Sequence, residues 1–179
     1  MVAWFLFGFM CAAAVIVAAA YFKFVSLRKA VQRAQLRLYA CLRSRREMLP
    51  SLAWSAASLP ELEREFAYAL GKMKEKCAEA DTMQKRIDCE AEVSRDLKKF
   101  FSGLAAHKEL EKDEYFLKLQ RGVLASESKI QQCKKRYNSA VRDFNTLAGV
   151  FPLSVLARLL DFDKYEYFDF ENSLDKILN

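Results

Sequence analysis

Residues 113–148 read DEYFLKLQRGVLASESKIQQCKKRYNSAVRDFNTLA. Phe116, Val123, Ile130, Tyr137 and Phe144 recur every seven residues, and Phe151 continues the row. A second row, Leu119, Ser126, Cys133, Ala140 and Leu147, stands three residues further on. Two rows at this spacing lay one seam along one face of a helix, whereas a strand alternates every second residue. Asp113 and Glu114 place negative charge where the helix dipole favours it, and Gly149 and Pro152 mark the far end. The stretch predicts a single helix about 54 Å long.

The same period runs earlier in the chain. Phe24, Val31, Leu38, Arg45, Leu52 and Leu59 form one row, with Leu27, Ala34, Cys41, Met48 and Ser55 beside it. Pro50 lies inside this pattern and is expected to kink it, and the Leu59-Pro60 step ends it. Between Pro60 and His107, Phe66, Met73, Ala80, Ile87 and Phe101 keep the spacing, with Ser94 in one place. The partner row shifts phase from Leu70 and Cys77 towards Leu97 and Leu104. A break or stutter is expected near Asp81-Thr82, where either residue can cap a new helix. The next turn is expected between Ala106 and Lys112. Five Gly and three Pro are too few for the many turns of a sandwich or barrel.

Residues 2–22 carry no ionisable side chain and as a helix would span about 31 Å, enough to cross a bilayer's hydrocarbon core. Trp4 and Tyr21 sit near its two ends, where amphipathic rings favour the interface. Lys23, Arg28, Lys29, Arg33, Arg37, Arg43, Arg45 and Arg46 follow with no acidic residue among them. The rest of the chain nets −2, so the whole formal charge of +6 stems from this cluster. By the positive-inside rule the short N-terminus lies outside and everything after Lys23 lies in the cytoplasm. A cleaved signal peptide fits less well, because no basic region precedes the apolar stretch. Met10 is too large for a lipoprotein signal at Cys11. The five cysteines (Cys11, Cys41, Cys77, Cys89, Cys133) show no CxxC pair and suit a reducing compartment.

The fold class read from these patterns is all-α: a single N-terminal transmembrane helix continuing into an antiparallel up-and-down bundle of long helices. Three domains follow: an anchor (1–22), a cytoplasmic helical bundle (23–160) and an acidic aromatic tail (161–179). Three passes are expected. The first and third are then parallel, and the tail begins far from the bilayer.

Several stretches resemble the LemA family of bacterial membrane-anchored helical proteins. They are Val25-Ser26-Leu27-Arg28, the run from Leu42 to Pro50 (LRSRREMLP), Phe116-Leu117-Lys118-Leu119-Gln120, Glu127-Ser128-Lys129-Ile130, and the run from Arg136 to Asn145 (RYNSAVRDFN), with Phe151-Pro152 after it. The doubled aromatic-Asn pair, Tyr137-Asn138 and Phe144-Asn145, is the most specific. The resemblance spans about Tyr21 to Phe170. It implies an outside N-terminus, one transmembrane helix, a helical bundle and no established catalytic activity. Tyr21-Phe22, Pro50-Ser51 and the stretch from His107 to Glu111 depart from the family pattern.

Arg45 occupies a seam position, where a charge needs a partner. Glu127 flanks the third helix's seam at a comparable height, so an Arg45–Glu127 pair shared with Arg46 is expected to fix the register. Asn138 and Asn145 are expected to bond to another helix, beside Tyr137 and Phe144. In the tail, Phe162, Tyr165, Tyr167, Phe168 and Phe170 are interspersed with acidic residues and are expected to pack on the bundle. Asp88, Glu90 and Glu92 read as a solvated helix face, and His107 as a loop residue.

No catalytic, cofactor or metal site is expected, because no triad, ligand set or phosphate loop is assembled. The stretch from Lys23 to Arg33 is expected to meet anionic lipid headgroups, at about 1 kcal/mol per basic residue near the surface. Nucleic acid is not expected, since the aromatics are not interleaved with the charges. The functional expectation is a non-catalytic scaffold with a membrane or cytoplasmic protein partner. The alternative is a self-assembling, membrane-organising envelope protein, with a homo-oligomer possible under either reading.

Overall fold

The computed structural model describes residues 2–55, 60–104, 114–151 and 153–169. These form five helices: α1 (Val2–Ser55), α2 (Pro60–Ala78), α3 (Met83–Leu104), α4 (Glu114–Gly149) and α5 (Leu153–Leu159). Among the described residues there is no strand. Leu59, His107, the turn between Ala106 and Lys112, the expected helix start at Asp113, and Phe170 lie outside the described residues, as do the side chains of Ser55, Leu70, Met73 and Leu104. The chain divides into two compact bodies, residues 1–37 with 135–167 and residues 38–134 with 168–179.

In the first body, Phe24 and Val31 of α1 are buried with Tyr137, Val141, Phe144 and Ala148 of α4. The apolar start of α1 is uncovered, and Trp4, Phe5, Phe9 and Phe22 are all exposed. Among the described residues α1 is the one helix long and apolar enough to cross a membrane.

The second body holds the larger core. Leu38, Leu42, Leu49 and Leu52 of α1 are buried, as are Phe116, Val123 and Ile130 of α4. Phe66 of α2 stacks on Phe100 of α3 at 4.0 Å, with Val93, Leu97 and Phe101 beside them. Each such side chain contributes about 1.5–3 kcal/mol by leaving water. The helix α1 runs through Pro50 to Ser55.

Contacts within this body set the helix directions. Against α4, Cys41 faces Cys133, Arg45 faces Glu127 and Met48 lies against Gly122, so α1 and α4 run antiparallel. Against α3, Tyr39 faces Met83 and Arg86 while Arg45 faces Glu90 and Ser94, so α1 and α3 run parallel. The helices α2 and α3 form an antiparallel pair, closed by a Cys77–Cys89 disulfide at one end and the Phe66–Phe100 stack at the other.

This corrects the expected three passes. The break near Asp81-Thr82 is a full reversal, not a stutter. Thr82 caps α3, its Oγ1 accepting from the Lys85 N–H at 3.2 Å. Asp81 and Lys85 pair across the first turn at 2.9 Å. Arg86 donates to the Ala80 carbonyl at 2.7 Å and covers the Tyr39 ring. The extra reversal changes the parity of the bundle. Its last long helix therefore returns alongside α1 in the opposite direction, not in the same one.

The tail is corrected for the same reason. Phe162 stacks on Phe24, two residues beyond the apolar stretch, at 5.1 Å. It does not begin far from the anchor. Phe151, expected to extend the seam, is 80% exposed, because α4 stops at Gly149 and the heptad phase ends with it.

Candidate functional site

The deepest polar feature lies in the second body. Arg45 stands in the Phe24–Val31–Leu38–Leu52 row and is fully buried. Its Nη1 donates to Glu127 Oε2 at 2.8 Å and to Ser94 Oγ at 3.0 Å. Its Nη2 donates to Glu90 Oε2 at 2.6 Å. Arg46 Nε stands 3.7 Å from Glu90 Oε1 at the rim. Two guanidinium groups thus face two carboxylates. Arg45 joins one carboxylate from α3 and one from α4, so three helices share one guanidinium.

The structure brings Arg45 and Glu127 together, whereas Arg46, expected to share that pair, stands against Glu90. It also adds Glu90 and Ser94, and Glu90 corrects the solvated-face reading, being 0% exposed. Asp88 is exposed and Glu92 half-buried. The missed signal was present in the sequence: Glu90 stands seven residues before Leu97 and three after Ile87, a seam place like that of Arg45. The phase shift expected at the helix break hid it.

The first body carries the other cluster. Asn145 behaves as a backbone mimic: its Nδ2 donates to the Tyr165 carbonyl at 2.8 Å, and its Oδ1 accepts the Tyr165 N–H at 2.9 Å. Tyr137 donates its hydroxyl to the Glu166 carbonyl at 2.9 Å. The Phe144 ring meets Phe24, Phe162 and Tyr165 edge-on. Asn145 therefore holds the extended tail, not another helix. Asn138 is half-buried one residue after Tyr137. The doubled aromatic-Asn spacing sets Tyr137 and Asn145 to grip successive tail residues. Phe168 belongs to the second body and is fully buried, next to the Lys134–Asp169 ion pair at 2.9 Å.

Four of the five cysteines form two close pairs, which sequence spacing did not reveal. Cys77 and Cys89 are bonded, with Cα atoms 5.6 Å apart. Glu90 stands next to them, but bonded sulfurs offer no thiolate to an ion. Cys41 Sγ and Cys133 Sγ are 3.0 Å apart. Burial, then the hydrogen bond and charge of Cys133, push the Cys41 thiol up to about 11, against the opposing pull of Lys129. A thiol held protonated at neutral pH is a weak nucleophile.

These features define a class: an all-α protein with a buried ion-pair cluster among its helices, and whose first helix starts as an apolar span. The sequence pattern of the LemA family matches residues 34–177, most of the chain, and the protein belongs to that family. No curated protein matches it significantly.

Proposed function

We propose that the protein is a single-pass, membrane-anchored, non-catalytic scaffold that presents a rigid helical bundle to protein partners. The observation that carries this reading is α1 itself. One helix of 54 residues bears both the uncovered apolar span and a seam of the bundle. A bundle built on such a helix is a continuation of its anchor, with no linker between them. The buried charges support the non-catalytic role. Arg45 donates to both Glu90 and Glu127, and these charges are committed to holding helices. The exposed Trp54 and Tyr68 offer aromatic surface to a partner. The test is in-membrane cross-linking from positions beside Trp54 and Tyr68. One reproducible protein adduct is expected, and its absence counts against the scaffold.

The eight basic residues after the span favour a cytoplasmic bundle. A second orientation is favoured by one observation, the Cys77–Cys89 disulfide, since such bonds persist in oxidising compartments. A C-terminal tag cut by protease only in inverted vesicles supports the cytoplasmic reading. Cys77 and Cys89 should then be alkylated as thiols in freshly lysed cells. A tag cut in intact cells, with both cysteines unreactive, supports the other.

A further inference from the structure

Ala20 lies inside the apolar span yet is buried, while Ala18, Ala19 and Tyr21 beside it are exposed. The first body contains only residues 1–37 and 135–167. In this body the segment after α4 lies against the foot of α1. The Phe24–Phe162 stack fixes the end of that segment at the same place. Here the chain exposes a run of large apolar side chains: Val150 (52%), Phe151 (80%), Val155 (51%) and Leu159 (78%). Val155 and Leu159 of α5 are four residues apart, so on the helical period they share one face, and Phe151 is exposed in the turn before it.

We infer that this face is a second membrane contact, a short helix lying in the near interface of the bilayer beside the anchor. The inference rests on the anchored reading of α1. The occupant is lipid because the face lies beside apolar surface that already calls for lipid, around Phe22 at 70% exposure. The contact is apolar in kind. Arg158 and Lys164 are exposed on this segment, and Asp161 and Asp163 match them in number. Its charge is balanced, so it has no preference for anionic headgroups. In this it differs from the basic stretch between Lys23 and Arg33.

The test uses the full chain in phosphatidylcholine vesicles carrying lipid brominated high on the acyl chains. The natural tryptophans, Trp4 and Trp54, are replaced by Phe, and a single Trp is introduced as Phe151→Trp or, in a second chain, Leu159→Trp. A third chain keeps Trp4 alone and reports the anchor. Circular dichroism confirms that each chain is helical. Emission from the new tryptophans is expected to fall about twofold, as for an apolar helix face sunk just below the headgroups. Added salt or anionic lipid should leave that fall unchanged. Unquenched Trp at both new positions, with Trp4 quenched, overturns the inference and leaves the anchor standing. Blue-shifted but unquenched emission there reports cover by protein and also overturns it. An unquenched Trp4 overturns the anchored reading and the inference with it.

Discussion

The two bodies hold α1 against α4 by opposite means. Around Phe24 and Phe144 the contact is aromatic and neutral, finished by an asparagine that pairs with a strap of backbone. Around Arg45 and Glu127 it is ionic and fully buried, with α3 drawn in through Glu90. Both sites stand on the same heptad row of α1, three places apart. Aromatic rings tolerate small slips of register, because their attraction is broad in angle and distance. A buried guanidinium shared by two carboxylates does not, since any slip leaves charge unpaired in a dry interior. The ionic site is thus suited to specifying which helices pair, and the aromatic site to covering apolar surface.

That contrast can be broken experimentally. The largest effect is expected from Arg45→Met, which removes the buried cation that Glu90 and Glu127 share. Denaturant unfolding of the solubilised full chain should show a loss of about 3–5 kcal/mol. Adding Glu90→Gln and Glu127→Gln should recover most of it. If the triple variant is no better than the single one, the loss lies in packing and the ionic account of the second body is wrong.

Opening the Cys77–Cys89 bridge should come next. It closes a short loop, 12 residues in separation, and its removal by Cys77→Ser with Cys89→Ser should cost about 2–3 kcal/mol. The tail's protection in the first body should be unchanged, which sharpens the division between the two.

Asn145→Ala attacks the neutral site. Two hydrogen bonds to Tyr165 are lost, and about 1–3 kcal/mol with them. The readout is tryptic cleavage after Lys164, which should accelerate in this variant and stay slow in Arg45→Met/Glu90→Gln/Glu127→Gln. Equal acceleration in both would erase the distinction.

The smallest effect concerns pH. The folded chain keeps a proton on Cys41 to about pH 11, whereas an unperturbed thiol releases it near 9. A raised acid pKa means stability that is present below pH 9 and is lost as pH climbs through this window. Anaerobic urea midpoints should decline across that range and flatten in Cys41→Ala. An unchanged slope in the variant would assign the alkaline loss to other groups.

Much of this was readable beforehand, and for one reason: Phe24, Val31, Leu38, Arg45 and Leu52 of the first heptad row on α1 are all buried, with Leu27, Ala34, Cys41 and Met48 of the companion row half-buried. Arg45 stood out because a charge in an apolar row needs a partner, and Glu127 could be found on an unbroken helix whose phase was secure. Glu90 could not, because the Asp81-Thr82 break reset the phase and left its seam place unassigned. The direction of α4 was lost at the same spot. Heptads report which face is covered but not whether the chain turns back, and one short reversal inverted the order of everything after it. The cysteine pairs were hidden because their closeness is set by that reversal and not by spacing along the chain.

The Phe24–Phe162 stack joins residues about 140 apart in the chain. At a synthesis rate of about 5–20 residues per second, Phe162 is made some 7–30 s after Phe24. Until then the aromatic cover on Phe24 is the edge-on ring of Phe144 alone. Local contacts cannot substitute, because the closing residues do not yet exist. The stack therefore forms only after the whole of α4 has been made. A nascent product that stalls before Phe162 keeps the edge-on Phe144 contact but lacks the stacked ring over Phe24.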